Sequence, residues 1–158
     1  GAHEYEAAHQ VVNQLLRQYL EHPKTVDAQL ELGIILKDKG HYPQAIEQFD
    51  ELLSQQLLEA NSASEARFYI GESYQNMGEY RKAIEAYYKV SYHGAEGFSQ
   101  WITSADFQRA RCHQSLGEHA TAITVYERIV RREGGQSPQG EMAQEQIVAL
   151  RRSLGNRN

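Results

Sequence analysis

Apolar and polar positions in this chain alternate at helical spacing, and the pattern recurs in blocks of nearly constant length. Three stretches superpose without a gap: Leu32-Gly33, Leu36, Gly40, Tyr42, Ala45, Phe49, Leu52; Ile70-Gly71, Tyr74, Gly78, Tyr80, Ala83, Tyr87, Val90; and Arg109-Ala110, His113, Gly117, His119, Ala122, Tyr126, Ile129. In each set the last three positions fall at i, i+4 and i+7, one face of an α-helix. A small residue (Gly33, Gly71, Ala110) sits where two helices must approach closely. Seven positions later a glycine (Gly40, Gly78, Gly117) supplies the left-handed backbone that ends a helix. Each block therefore predicts a helix–turn–helix hairpin. Ser62-x-x-Glu65 and Thr103-x-x-Asp106 have the form of capping boxes, and Ser137-Pro138 places proline at a first helical position.

Both ends extend the pattern by half a unit. Tyr5, Ala8, Val12 and Leu15 occupy the register of Tyr42, Ala45, Phe49 and Leu52, so residues 4–20 read as a second helix without its first. Ile147, Val148 and Leu154-Gly155 align with Ile70, Gly71 and Met77-Gly78, so residues 138–154 read as a first helix. The expected organisation is one domain over residues 1–158: a half repeat at 4–20, repeats at 26–60, 63–93 and 102–133, and the terminal helix. That makes an all-α solenoid of about eight helices. The helix without a partner also predicts a fragment of a longer repeat protein.

The arrangement Leu-Gly-x-x-Leu/Tyr … Gly-x-Tyr … Ala-x-x-x-Phe/Tyr resembles the tetratricopeptide repeat. Gln29, Arg67 and Asp106 stand where the family carries tryptophan, and the closing proline is absent. The register residues 33, 71, 110 and 148 are farther apart than the usual repeat of about 34 residues. This long period resembles the form found in bacterial cell-envelope proteins of the Tol–Pal cell-division type. The resemblance implies a right-handed superhelix whose first helices line a concave surface. It leans the location toward the bacterial periplasm or envelope, with the cytoplasm as the alternative.

Composition narrows the function. The 158 residues carry a formal net charge of −5, with the first hundred residues acidic and the rest slightly basic. No dense Lys/Arg run is present, which argues against nucleic acid as the partner. No apolar run reaches the roughly 18 residues of a membrane span. The single cysteine, Cys112, excludes an internal disulfide and a multi-cysteine metal site. The seven histidines form no i, i+4 pair, and His113 and His119 occupy packing positions. Cys112 beside Arg111 reads as a buried structural thiol rather than a nucleophile. No catalytic residue, metal site or cofactor is expected, and the chain does not read as an enzyme.

A stack of hairpins offers instead an extended concave surface. The family resemblance implies that its lining comes from fixed positions of each first helix: Asp27, Leu30, Ile34, Lys37 and Asp38, then Glu65, Phe68, Glu72, Gln75 and Asn76, then Ser104, Phe107, Arg111, Gln114 and Ser115. Leu30, Phe68 and Phe107 would form an apolar line flanked by amides and charges. Phe68 and Phe107 fit equally a place between hairpins, and Glu72 and Arg111 fit solvated groups or an inter-repeat ion pair. The Lys and Asn that clamp acidic chaperone tails are replaced at their positions by Leu30/Ile34, Phe68/Glu72 and Phe107/Arg111. The connection His93–Gln100, crowded by Tyr87, Tyr88, Tyr92, Phe98 and Trp101, reads either as a binding edge or as a loop stapled to the body. The leading expectation is a non-catalytic scaffold that binds a peptide or helix of a protein partner. The rivals are a self-assembly module forming homo-oligomers through its terminal helices, and the regulatory arm of a larger enzyme.

Overall fold

A computed structural model describes residues 10, 23–56, 58–93 and 99–155 of the chain. Among them are seven α-helices: α1 (Pro23–Asp38), α2 (Tyr42–Ser54), α3 (Ala60–Asn76), α4 (Tyr80–His93), α5 (Ser99–Ser115), α6 (His119–Glu133) and α7 (Pro138–Gly155). The half repeat expected over 4–20 lies, Gln10 apart, outside the described residues. Each helix packs on the next in sequence, and first helices also touch across hairpins, α1 on α3 and α3 on α5. The chain therefore advances in one direction instead of folding back on a central core.

Second helices are amphipathic in the ordinary way. Ala45, Phe49 and Leu52 of α2, Ala83, Tyr87 and Val90 of α4, and Ala122, Tyr126 and Ile129 of α6 are all buried. Their partners in the first helices are the small residues. A Cβ on Gly71 would stand 2.6 Å from the Tyr87 ring, and one on Gly33 would collide with Phe49. The turns after α1, α3 and α5 share one geometry. Gly40, Gly78 and Gly117 have φ of +80°, +76° and +74°. In each, the following amide donates back into the last helical turn: His41 N to Leu36 O, Glu79 N to Tyr74 O and Glu118 N to His113 O, all 2.9 Å.

Two helix starts differ from expectation. Ser62 and Thr103 are not caps, because α3 begins at Ala60 and α5 at Ser99. Ser64 Oγ, inside α3, donates instead to Ala60 O of the preceding turn. Thr103 and Asp106 are committed to a buried network. Ser137, by contrast, caps α7: its Oγ accepts from Gly140 N at 3.0 Å, with Pro138 in the first helical position.

The core is three linked apolar clusters, one around α1–α3, one around α3–α5 and one around α5–α7. A polar network interrupts them at the α4–α5–α6 corner. Asp106, fully buried where the family carries tryptophan, receives Ser91 Oγ at 3.0 Å, Arg109 Nη2 at 2.9 Å and Arg132 Nη1 at 2.8 Å. Arg132 also donates to Thr103 Oγ1 and to Glu133, and Thr103 donates to Glu133. Burial lowers the Arg109 pKa, opposed by the Asp106 charge, and its guanidinium lies 5.7 Å from the centre of the Tyr88 ring.

Candidate functional site: the concave groove

The inner faces of α3, α5 and α7 enclose a groove of about 840 Å³, large enough for several side chains of a ligand. Gln75, Asn76, Phe107, Arg111, Gln114 and Ser115, all expected from their repeat positions, line it. Phe107 stands edge-on to Tyr126, with ring centres 5.6 Å apart, so the α6 aromatic fixes its orientation while one side still borders the groove.

The remaining expected positions lie elsewhere. Phe68 is buried between hairpins, 5.5 Å from Tyr87 and 5.4 Å from Trp101 between ring centres. Leu30 and Ile34 pack against the first apolar cluster. Lys37 is half-buried between Glu72 at 2.8 Å and Asp38 at 2.9 Å, and it sits 4.8 Å above the Tyr69 ring. Burial alone would lower its pKa, but hydrogen bonds to the two carboxylates outweigh this and raise it. Lys37–Glu72 is thus an inter-repeat ion pair. Trp101 donates from Nε1 to Asn61 Oδ1 at 2.9 Å, anchoring the start of α5 on α3; residues 94–98 before it lie outside the described residues.

Tyr80, Gln108, Tyr126, Met142, Glu145 and Gln146 also line the groove and were not expected. Three of them had a readable signal. Carrying the register through Val148 puts Met142 and Glu145 of α7 at the same repeat positions as Ser104 and Phe107, while Gln146 matches Gln108 one position on. Tyr126 borders the groove from α6, within the same apolar cluster as Ala110.

Polar contacts in the groove follow one rule in two repeats. Tyr87 Oη donates to Gln75 Oε1 and Tyr126 Oη to Gln114 Oε1, both at 2.8 Å. Gln75 Nε2 then donates to Gln108 Oε1 at 3.2 Å. Burial pushes the Tyr126 phenol up to about 12, against the lowering effect of Arg111, and pushes Tyr87 higher still. Both phenols therefore stay protonated donors at neutral pH. The Cys112 thiol, buried behind Arg111, is likewise pushed up to about 11 and remains a thiol. Arg111 is exposed and has no hydrogen-bond or salt-bridge partner among the described residues. No group of three or more His, Cys, Asp or Glu side chains able to hold a metal occurs among the described residues. No described helix is long and apolar enough to cross a membrane.

Stacked antiparallel hairpins, glycine-ended first helices and a groove lined by those helices define an α-helical repeat solenoid, a class that is in general a non-catalytic scaffold for protein interactions. A tetratricopeptide repeat profile matches residues 1–55 and 30–97, and a second matches 104–133. The chain belongs to the tetratricopeptide repeat family. Solved structures agree on the fold. Kinesin light chain TPR-like repeats from Podosopora anserina superpose with a TM-score of 0.73 at 21% identity, covering 97% of this chain and 78% of that one. MamA superposes with a TM-score of 0.70 at 21% identity, covering 98% and 81%. A Rap protein complexed with Competence and Sporulation Factor gives 0.62 at 17% identity, covering 98% of this chain and 47% of that one. No sequence match among curated proteins reaches significance.

Proposed function

We propose that this chain is a non-catalytic scaffold that holds a peptide or helix of a partner protein in the groove between α3, α5 and α7. The observation that supports this is convergence: side chains from three successive first helices meet around one cavity of about 840 Å³. An aromatic anchor, Phe107, stands among adaptable amides, the mixture in which a few contacts dominate binding energy. The test is affinity capture followed by titration of the purified captured partner against wild type and a Phe107→Ala, Gln114→Ala variant. Loss of binding with an unchanged circular dichroism spectrum is expected, and unchanged affinity would overturn the assignment. Phe68 is unsuitable for this test, because its removal would cut into the core.

A second reading, self-assembly, draws on α7. Met142, Val148 and Leu154 are 57%, 42% and 38% exposed, and Val148 occupies the register of Gly33, Gly71 and Ala110. Light scattering across concentration tests it; a strict monomer at high concentration excludes it. The long period supports an envelope location, which fractionation of cells making the full-length gene product would check.

A further inference from the structure

At the first-helix position where the family carries tryptophan, each repeat holds a different polar residue, and their surroundings differ. Asp106 is buried and committed to Ser91, Arg109 and Arg132. Gln29 is buried as well. Arg67, in the middle repeat, is half-buried and has no hydrogen-bond or ion-pair partner among the described residues. The register gives the reason. Leu53 and Ile70 stand where the third repeat has Ser91 and Arg109, so the groups that satisfy Asp106 have apolar counterparts around Arg67. Arg67 borders instead a cavity of about 400 Å³ between the second helices α2 and α4, with Leu53, Ile70, Tyr74 and Ala86 among its walls. This cavity shares no lining residue with the concave groove.

Charge decides what the cavity holds. Its remaining lining groups are Asp50, Lys82, Glu85 and Lys89. Lys82 is paired with Glu79 and lies over the Tyr74 ring, while the Lys89 charge opposes the rise that burial gives the Asp50 carboxyl. Glu85 is exposed, with Lys82 and Lys89 at i−3 and i+4 on its own helix. These acids and lysines thus answer one another. Arg67 does not share in this: burial lowers its pKa, and no carboxylate stands against it. We infer that the cavity is a binding site for a single carboxylate on a short apolar stem, with its oxygens on the Arg67 guanidinium and its stem against Leu53, Ile70 and Ala86. The planar fork of a guanidinium matches a carboxylate through two parallel hydrogen bonds. A phosphate dianion or a polyanion is disfavoured, because its further charge would face Asp50 and Glu85. The volume suits a free organic acid or a glutamate side chain of a partner protein, two sources of the same chemistry.

The experiment is an NMR titration of the full chain at constant pH and ionic strength, following the Arg67 Nε signal and the backbone amides of Arg67, Ile70 and Ala86. The probes are sodium butyrate, for a free acid, and glutamate blocked as its N-acetyl α-amide, for a protein side chain. Both should shift these signals saturably, with half-saturation on the order of 10 mM for ligands so small. Sodium chloride and inorganic phosphate should leave them nearly unmoved. Arg67→Lys, which keeps the charge but not the fork, should weaken binding by about tenfold. Arg67→Met should abolish the response of the amides while the thermal midpoint stays level or rises, since an apolar side chain suits these walls. Tighter binding of the blocked glutamate assigns the site to a partner's side chain, and tighter binding of butyrate assigns it to a free acid. No saturable shift with either probe, an equal response to chloride or phosphate, or a response that survives Arg67→Met overturns the inference. None of these outcomes bears on the concave groove, whose test is separate.

Discussion

At Gly71 and Gly78 the same residue type answers two different demands. Gly71 is required by what stands opposite, since a Cβ there meets the Tyr87 ring at 2.6 Å. Gly78 has open space around it but a φ of +76°. Gly71→Ala should therefore lower stability by about 1–3 kcal/mol through overpacking. Gly78→Ala should lower it by about 1–2 kcal/mol through backbone strain, and Gly78→Asn by less, because asparagine tolerates the left-handed region. Urea unfolding of the three variants checks this. A companion Tyr87→Leu change, which removes the ring, should relieve Gly71→Ala and leave the cost of Gly78→Ala unaltered.

Among the helices, α5 carries the most varied load. Its inner face supplies Phe107, Gln108, Arg111 and Gln114 to the groove, while Thr103 and Asp106 bind it to α4 and α6 through buried polar contacts. Asp106→Ala would leave Arg109 buried without its anion. A loss of about 3–5 kcal/mol is expected, measurable by denaturant unfolding, and an apolar replacement of the whole cluster should cost much less. The network also sets an acid response. The hydrogen bond from Thr103, helped by Arg132, holds the Glu133 carboxyl below the ordinary glutamate value of 4.5 in spite of partial burial. A depressed folded pKa contributes stability that is present above the unfolded value and lost as pH falls through the folded one. Stability should thus be insensitive to this group from neutral pH to about pH 5 and decline below about 4.5, and the decline should be shallower in Glu133→Gln. Thermal midpoints across that range measure it.

Over the whole molecule, stability is a sum of neighbour contacts, because each helix touches those next to it and the first helix of the adjoining hairpin. Removing α7 would uncover the side of α6 that packs against Ala143, Ile147 and Leu150 and would delete one wall of the groove. Hydrogen exchange on a chain truncated after residue 135 should show protection lost mainly in α5 and α6, with α1–α3 little changed. Uniform loss throughout the chain would mean that the stack behaves as a single cooperative core.

The hairpins, their order and the glycine turns were legible in the chain because helical periodicity and positive φ are local demands that a single residue type must meet. The repeat register also located Gln75, Asn76, Phe107, Arg111 and Gln114 on the groove side. What it could not separate were residues at equivalent positions with different neighbours. Phe68 and Phe107 share a register position, yet Trp101 and Tyr87 close over the first, while the second keeps a side open to the groove. Ser62 and Thr103 have the form of caps, but helices that begin earlier place both inside a helix. The orientation of the Gln75 and Gln114 amides arises only when Tyr87 and Tyr126 of the second helices reach across the hairpin. The sequence determined which faces exist; packing between hairpins decided which of their side chains remain available to a partner.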